Sequence, residues 1–240
     1  MRPAFYAMKV GGWSDYVSLL HPPYTVWHLS YVLLGSATAP VVHPDRVAGS
    51  LLAFFLAVGI AAHALDEAHS RPLQTSIPQA TLLIIAGVAL LGALGIGIIA
   101  VFTISPWALP LVLFGSLIVP AYNLEWAGRR FHSDAWFALS WGAFPAFVGY
   151  WANAGQLEAS AFLVAAACLV LSLAQRTLSI QTRRLRRAAM AISGSITFRD
   201  GTVEELTVLG LVEAPERALQ LLSIAIPLLA VGWMISRLAA

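Results

Sequence analysis

The chain has 240 residues, of which 59% are hydrophobic and only 11% are charged, and its formal net charge is +2. A soluble globular domain has roughly a quarter of its residues charged, so the composition excludes that class and predicts a polytopic membrane protein. Nothing in the charge balance indicates a nucleic-acid partner, and the single cysteine, Cys168, excludes an internal disulfide bond. We expect one integral membrane domain over residues 1–240.

The N-terminal part, residues 1–23, has no uninterrupted apolar core and no small-residue cleavage site, which predicts a retained segment. Its aromatic residues alternate with charged ones, a pattern typical of a segment at the membrane interface. The first span is predicted from Tyr24 to Val42 and the second from Val47 to Leu65.

The second span leads into the stretch from Ala61 to Pro78, which has the sequence AAHALDEAHSRPLQTSIP. His63, Asp66 and Glu67 stand at i, i+3 and i+4, so they share one face if the helix continues. The proline that follows Arg71 disfavours the helical region for that residue and ends the helix. Carboxylate and imidazole groups on one face could bind a divalent cation. The alternative is a hydrated loop between two membrane helices.

Four further spans are predicted from the apolar runs that follow. They cover Ala80 to Phe102, Trp107 to Tyr122, Ala135 to Ala152 and Ala159 to Ala174. A second polar stretch, Asn123 to Asp134 (NLEWAGRRFHSD), again mixes acid, arginine and histidine at a membrane border. The span after it is rich in aromatic residues, including Trp141, which could line a cavity or form an interfacial belt.

Residues 175–217 form the only long hydrophilic region, and its arginine-rich start predicts a cytoplasmic basic loop that contacts anionic lipid. An Asp-Gly pair within it predicts a small β-hairpin with Phe198 opposite Val203. The last span is predicted from Ala218 to Ile235.

Seven spans place every basic residue on one side of the membrane except Arg46 and Arg237. The positive-inside rule then predicts a multi-pass protein of the cytoplasmic membrane with its N-terminus in the cytoplasm and its C-terminus outside. Both polar stretches would therefore face the cytoplasm, where they could meet and form one site.

The polar stretches carry two motifs that occur together in one family. The acidic pair at 66–67 precedes Arg-Pro-Leu at 71–73, and Arg-Arg-Phe at 129–131 enters an aromatic span. In these features the chain resembles the UbiA superfamily of intramembrane prenyltransferases. It resembles a divergent and shortened member, because polar and basic residues such as Gln175 and Arg176 stand where the family has its second acidic motif.

The resemblance implies a UbiA-like all-α bundle that binds an isoprenoid diphosphate and, with Mg²⁺, transfers the prenyl group to an acceptor. Departure of diphosphate builds negative charge on the leaving group and positive charge on the hydrocarbon, so arginines, metal and aromatic faces have distinct tasks. Catalytic roles are implied for Asp66, Glu67 and Arg71, and metal ligation for Asp66, Glu67 and Glu125. Substrate contacts are implied for His63, Trp126, Arg129, Arg130, Phe131 and Trp141, and His63, His69 and His132 are candidate bases.

Two alternatives stay open from the sequence. A non-catalytic protein that binds an isoprenoid or another lipid would keep the arginines and lose the second acidic motif, as this chain does. A metal transporter could use His63, Asp66, Glu67 and His69 as ligands, although the three spans within residues 80–152 contain no acid, base or histidine to continue a path. The sequence leaves the prenyl length, the acceptor and the oligomeric state undetermined.

Overall fold

A computed structural model describes residues 4–239, and 76% of the chain is helical. Arg2, which the charge argument used, and the first three residues of the predicted interfacial segment lie outside the described residues. The helices are α1 (Trp13–Leu19), α2 (Pro22–Thr38), α3 (Pro44–Ser70), α4 (Gln79–Thr103), α5 (Ala108–Asn123), α6 (Trp126–Arg129), α7 (134–154), α8 (Ala159–Ala188) and α9 (Val208–Ala239). Strands β1 (Ser195–Thr197) and β2 (Val203–Glu205) form a hairpin between α8 and α9.

Four helices within residues 4–239 are long and apolar enough to cross a membrane, namely α3, α4, α8 and α9. A fifth apolar helix, α5, is shorter, with 16 residues. Large apolar side chains face outward from these helices; Phe102 is 84% exposed and Leu163 is 71% exposed. Such outward faces are expected where lipid rather than water surrounds the protein. The fold is that of an all-α membrane protein.

Helices α2 and α7 form the closest pair in the bundle. A Cβ atom added to Gly35 would lie 1.9 Å from the Ala146 carbonyl oxygen, and one added to Gly149 would lie 2.3 Å from that of Val32. Ser36 Oγ donates a hydrogen bond to the Gly149 carbonyl oxygen across this contact, at 3.2 Å. Small residues thus let the two backbones touch, as in other membrane helix pairs.

Two helices contain a π-helical stretch, and both stretches adjoin residues that the sequence singled out. In α3 it covers Phe55–Ala62 and ends immediately before His63. In α7 it covers Ala138–Ala143 and includes Trp141. An extra residue per turn rotates the side chains that follow, so these stretches determine which way the polar ends of α3 and α7 face.

The hydrophilic region 175–217 differs from the predicted loop, because α8 continues to Ala188 and α9 begins at Val208. Gln175, Ser179 and Thr182 are buried along one face of α8. This buried polar face stabilises the helix beyond the apolar run that defined the predicted span. The arginines of the region therefore lie on a helix, and only residues 189–207 connect the two helices.

The hairpin is present, but its register differs by one residue from the prediction, since Thr197 rather than Phe198 pairs with Val203. Phe198 N donates instead to the Thr202 carbonyl oxygen at 2.9 Å, and Gly201 has φ of +85°. A three-residue loop with glycine in the left-handed region explains the shift, because it contains one residue more than the predicted two-residue turn.

Candidate functional site

The two polar stretches meet at one end of the bundle through Glu125. Its carboxylate lies 3.9 Å from His69 Nε2 at the end of α3, 3.3 Å from Arg129 Nη2 and 3.9 Å from His132 Nε2. The end of α3 and the segment after α5 are therefore neighbours.

Glu67 is fully buried and binds the loop that follows its own helix. Its two carboxylate oxygens accept hydrogen bonds from Leu73 N at 2.9 Å, from Thr75 N at 2.8 Å and from Thr75 Oγ1 at 2.9 Å. A buried carboxylate needs such donors, and here the loop supplies them. In this structure Glu67 stabilises the loop conformation.

Arg71 binds the same loop by donating hydrogen bonds to its carbonyl oxygens, whereas Glu67 accepts from its donors. It adopts a left-handed conformation with φ of 51°, and its Nη1 donates to the carbonyl oxygens of Thr75 at 3.0 Å and Ile77 at 2.8 Å. Asp15, from α1, accepts hydrogen bonds from Ser76 N at 2.8 Å and Ser76 Oγ at 2.6 Å. Three charged side chains thus fix the loop after α3.

Asp66 is the acidic residue of this motif that does not bind the loop. Within residues 4–239 its carboxylate has one hydrogen-bonding neighbour, Ser70, whose Oγ lies 3.4 Å from Asp66 Oδ1. The half-buried carboxylate lies within electrostatic range of Arg183 and Arg187 on α8 and of His132. Asp66 therefore faces the C-terminal part of α8, which carries both arginines.

The three acids that the resemblance implied as Mg²⁺ ligands do not form one cluster. No group of three or more His, Cys, Asp or Glu side chains within residues 4–239 is arranged to hold a metal ion. Both oxygens of Glu67 bind the loop, and Glu125 contacts two histidines and an arginine. Mg²⁺ demands close octahedral oxygen ligation, which these positions do not provide.

Arg183 is the functional candidate that the sequence reasoning missed, because its arginine cluster was interpreted as an orientation signal. With Arg176 and Arg187 it stands at i, i+7 and i+11, so the three share a face of α8, hereafter the arginine face. Arg184 lies off this face and is exposed. This helical spacing was the signal in the sequence, and it was hidden by the assumption of a loop.

Arg183 is half-buried and forms no ion pair with any carboxylate of the described residues. Its hydrogen bonds go only to Ser179 on the preceding turn, at 3.2 Å to the carbonyl oxygen and 3.4 Å to Oγ. Other arginines of α8 have carboxylate partners: Arg176 binds Asp134 at 2.8 Å, and Arg186 binds Glu216. A sheltered guanidinium without a direct ion pair could be compensated by a bound anion.

Residues 4–6 of the N-terminal segment line a cleft beside Arg183 on the arginine face. The Tyr6 hydroxyl and His21 Nδ1 are 2.8 Å apart, and the His21 ring stacks on the His63 ring with centroids 4.1 Å apart. Burial, together with nearby His63, Arg183 and Arg187, lowers the pKa of His21 well below its usual range. His21 is therefore neutral at pH 7. Its ring packs against that of His63, which is half-buried.

An aromatic layer lies on the inner side of the polar end. Trp141 is buried, with its ring centroid 4.6 Å from that of Tyr122, and it stacks parallel to Phe137 at 5.8 Å. Tyr122 also contacts the His132 ring, at 4.5 Å. Its buried hydroxyl has no hydrogen-bond partner in the described part of the chain.

Beyond this layer is a partly open apolar cavity of about 270 Å³, lined by α3, α4, α5 and α7. Trp141 and Ser140 line it on the side of the aromatic layer, and Asp45 and Arg46 line it at the opposite end of the bundle. The buried Ser140 Oγ has no partner among residues 4–239. The cavity has the chemistry of a hydrocarbon site with a few hydroxyl groups on its wall, Ser140 among them.

The remaining predicted substrate contacts lie at the surface beside this end. Arg129 is 66% exposed, Arg130 and Trp126 are also exposed, and Phe131 packs against Trp136 with ring centroids 5.2 Å apart. The structure therefore brings Asp66 and Trp141 to the interior and leaves these four on the outer rim.

Comparison with protein-family models, with curated proteins and with solved structures gives no match to this chain. The argument for a function therefore depends on the geometry of the polar end and of the cavity.

Proposed function

We propose that this chain is a multi-pass membrane protein that binds an isoprenoid diphosphate. The observation that carries the proposal is Arg183, a half-buried guanidinium without an ion pair among the described residues, beside two further arginines. Guanidinium groups bind phosphate oxygens in paired hydrogen bonds, and an anionic head group would supply the missing counter-charge.

The hydrocarbon chain of the same ligand would occupy the apolar cavity. The aromatic layer of Tyr122, Phe137 and Trp141 separates the cavity from the arginine face, so a ligand that uses both must pass this layer. An amphiphile with a compact, highly charged head group and a long apolar tail would fill both the arginine face and the cavity. A soluble nucleotide would leave the cavity unfilled, and a hydrocarbon alone would leave Arg183 uncompensated.

Prenyl transfer is the second candidate function, and the aromatic layer favours it. The bond between the allylic carbon and the diphosphate oxygen would break with its electron pair on the oxygen, and the ring faces of Trp141 and Tyr122 would stabilise the allylic cation. A nucleophilic acceptor would then give an electron pair to that carbon and lose its proton to His132. A non-catalytic binding protein would hold the isoprenoid diphosphate without breaking this bond.

Transport of a metal cation is disfavoured by the charge of the same region. Asp66 lies within electrostatic range of Arg183 and Arg187, which surround it with positive charge. Coulomb repulsion between these guanidinium groups and a divalent cation opposes such transport.

We also propose seven spans, formed by α2, α3, α4, α5, α7, α8 and α9, with the arginine face at the cytoplasmic end.

The test is a thermal-shift series on the purified protein in detergent. A ligand that binds the folded state raises its apparent stability, so prenyl diphosphates should raise the melting temperature and their prenyl alcohols should do so less. Phosphatidylglycerol serves as the control for a generic anionic lipid. An equal shift with phosphatidylglycerol, or no shift with a prenyl diphosphate of any length, would remove the proposal.

A further inference from the structure

The polar end contains more positive than negative charge at the point where a diphosphate would bind. Arg176, Arg183 and Arg187 share the arginine face. Asp134 pairs with Arg176, and Asp66 lies within electrostatic range of the other two arginines. Arg183 has no ion pair among the described residues. A magnesium-bridged diphosphate needs several carboxylates that hold the metal from the protein side. Here Glu67 is bound to the loop through both oxygens.

We infer that the arginine face binds the phosphate head group directly, without a bridging metal ion. This inference rests on the proposed function and specifies its head-group chemistry. Guanidinium groups neutralise phosphate charge and also orient it, since each has two parallel donors that match two oxygens. The arginines thus perform the task for which Mg²⁺ and carboxylates would otherwise be required.

Two hydroxyl groups extend the site. Tyr6 and Tyr24 line a cleft together with Arg183 and the ion pair of Arg186 with Glu216. The Tyr24 hydroxyl can donate to a further phosphate oxygen, and the Tyr6 hydroxyl can do so when it leaves His21. The cleft measures about 20 Å³, which holds roughly one water molecule. Binding of a diphosphate at this cleft therefore requires the segment that contains Tyr6 to move away from α8.

The decisive experiment measures binding of farnesyl diphosphate to the full-length protein in detergent, once with Mg²⁺ and once with excess EDTA. We expect binding in EDTA to be at least as tight as in Mg²⁺, because Mg²⁺ masks the phosphate charge that the arginines recognise. Arg183→Gln should weaken binding roughly tenfold to a hundredfold, the size of one lost charged hydrogen-bonding pair. Arg184→Gln, the exposed neighbour on α8, should bind as the wild type does.

Two further measurements separate the head-group chemistry from folding defects. Arg183→Gln removes a charge without an ion pair, so its melting temperature without ligand should equal or exceed that of the wild type. Asp66→Asn should bind the diphosphate equally well or more tightly, because it removes a repelling carboxylate. A magnesium site would instead lose binding in this variant.

The outcomes distinguish this inference from the proposed function. Binding that requires Mg²⁺ and disappears in EDTA would overturn the inference and leave the proposed function intact, as would unchanged binding by Arg183→Gln. Absence of binding under both conditions would remove both. Binding of inorganic diphosphate as tight as that of farnesyl diphosphate would retain the arginine site and remove its isoprenoid specificity.

Discussion

Thr75 donates two hydrogen bonds to one oxygen of Glu67, from its backbone amide at 2.8 Å and from its hydroxyl at 2.9 Å. This contact makes the acidic residue part of the loop architecture. Glu67→Gln should therefore destabilise the protein by about 1–3 kcal/mol, because an amide nitrogen would face donors that need an acceptor. Thermal unfolding in detergent measures the loss, and Glu204→Gln on the exposed hairpin is the matched control. A stable Glu67→Gln protein that has lost only activity would instead indicate a catalytic role.

Asp15 provides a pH-dependent test of the same loop. Burial alone would raise the pKa of Asp15, but the hydrogen bonds from Ser76 and Gly11 outweigh burial and lower it. A carboxyl with a lowered folded-state pKa stabilises the protein above its unfolded pKa of about 4, and this stability is lost as the pH falls further. Asp15→Asn should be less stable than the wild type at pH 7, and the difference should shrink below about pH 4. A constant difference across this range would contradict the role of the ionised carboxylate.

Burial of His21 predicts a second pH effect. Its pKa is lowered by burial and by His63, Arg183 and Arg187, so folding favours the neutral ring. The resulting stability is complete above the unfolded pKa of about 6.5 and is lost as the pH falls toward the folded value. The melting temperature should thus fall between pH 7.5 and 5.5, and His21→Gln should reduce that fall. His43→Gln, at the opposite end of the helices, should leave it unchanged; equal slopes in all three proteins would exclude this origin.

The contact between α2 and α7 predicts a large effect from one methyl group. Gly149→Ala would place a Cβ atom 2.3 Å from the Val32 carbonyl oxygen, so the helices must separate, at a cost of about 1–3 kcal/mol. Gly87→Ala on α4 has no atom within 4 Å of the added carbon and should be neutral or stabilising, because alanine is the better helix former. Equal stability of the two variants would contradict the described packing.

The helices were predictable where an apolar run determines them. The run from Ala80 to Phe102 closely matches α4, because hydrophobicity alone specifies that segment. The end of α8 was not predictable in this way, since its buried face there is formed by Gln175, Ser179 and Thr182, and hydropathy assigns such residues to a loop.

The candidate site was predictable only in part, for a related reason. The sequence identified the segments that meet at Glu125, because their charges interrupt apolar runs. The sequence alone could not tell which acid of the pair at 66–67 faces α8 and which one binds the loop. That depends on the loop returning to Glu67, a tertiary contact that local spacing does not encode. Arg183 was missed because its face exists only if α8 is helical.

The most direct test of the central claim compares equilibrium binding of farnesyl diphosphate and farnesol to the purified wild-type protein. The two ligands share a hydrocarbon chain and differ in the head group, so the ratio of their dissociation constants isolates the contribution of the arginine face. We predict that the diphosphate binds at least about tenfold more tightly, a difference of about 1.4 kcal/mol or more. Equal affinities, or the absence of diphosphate binding, would contradict the account.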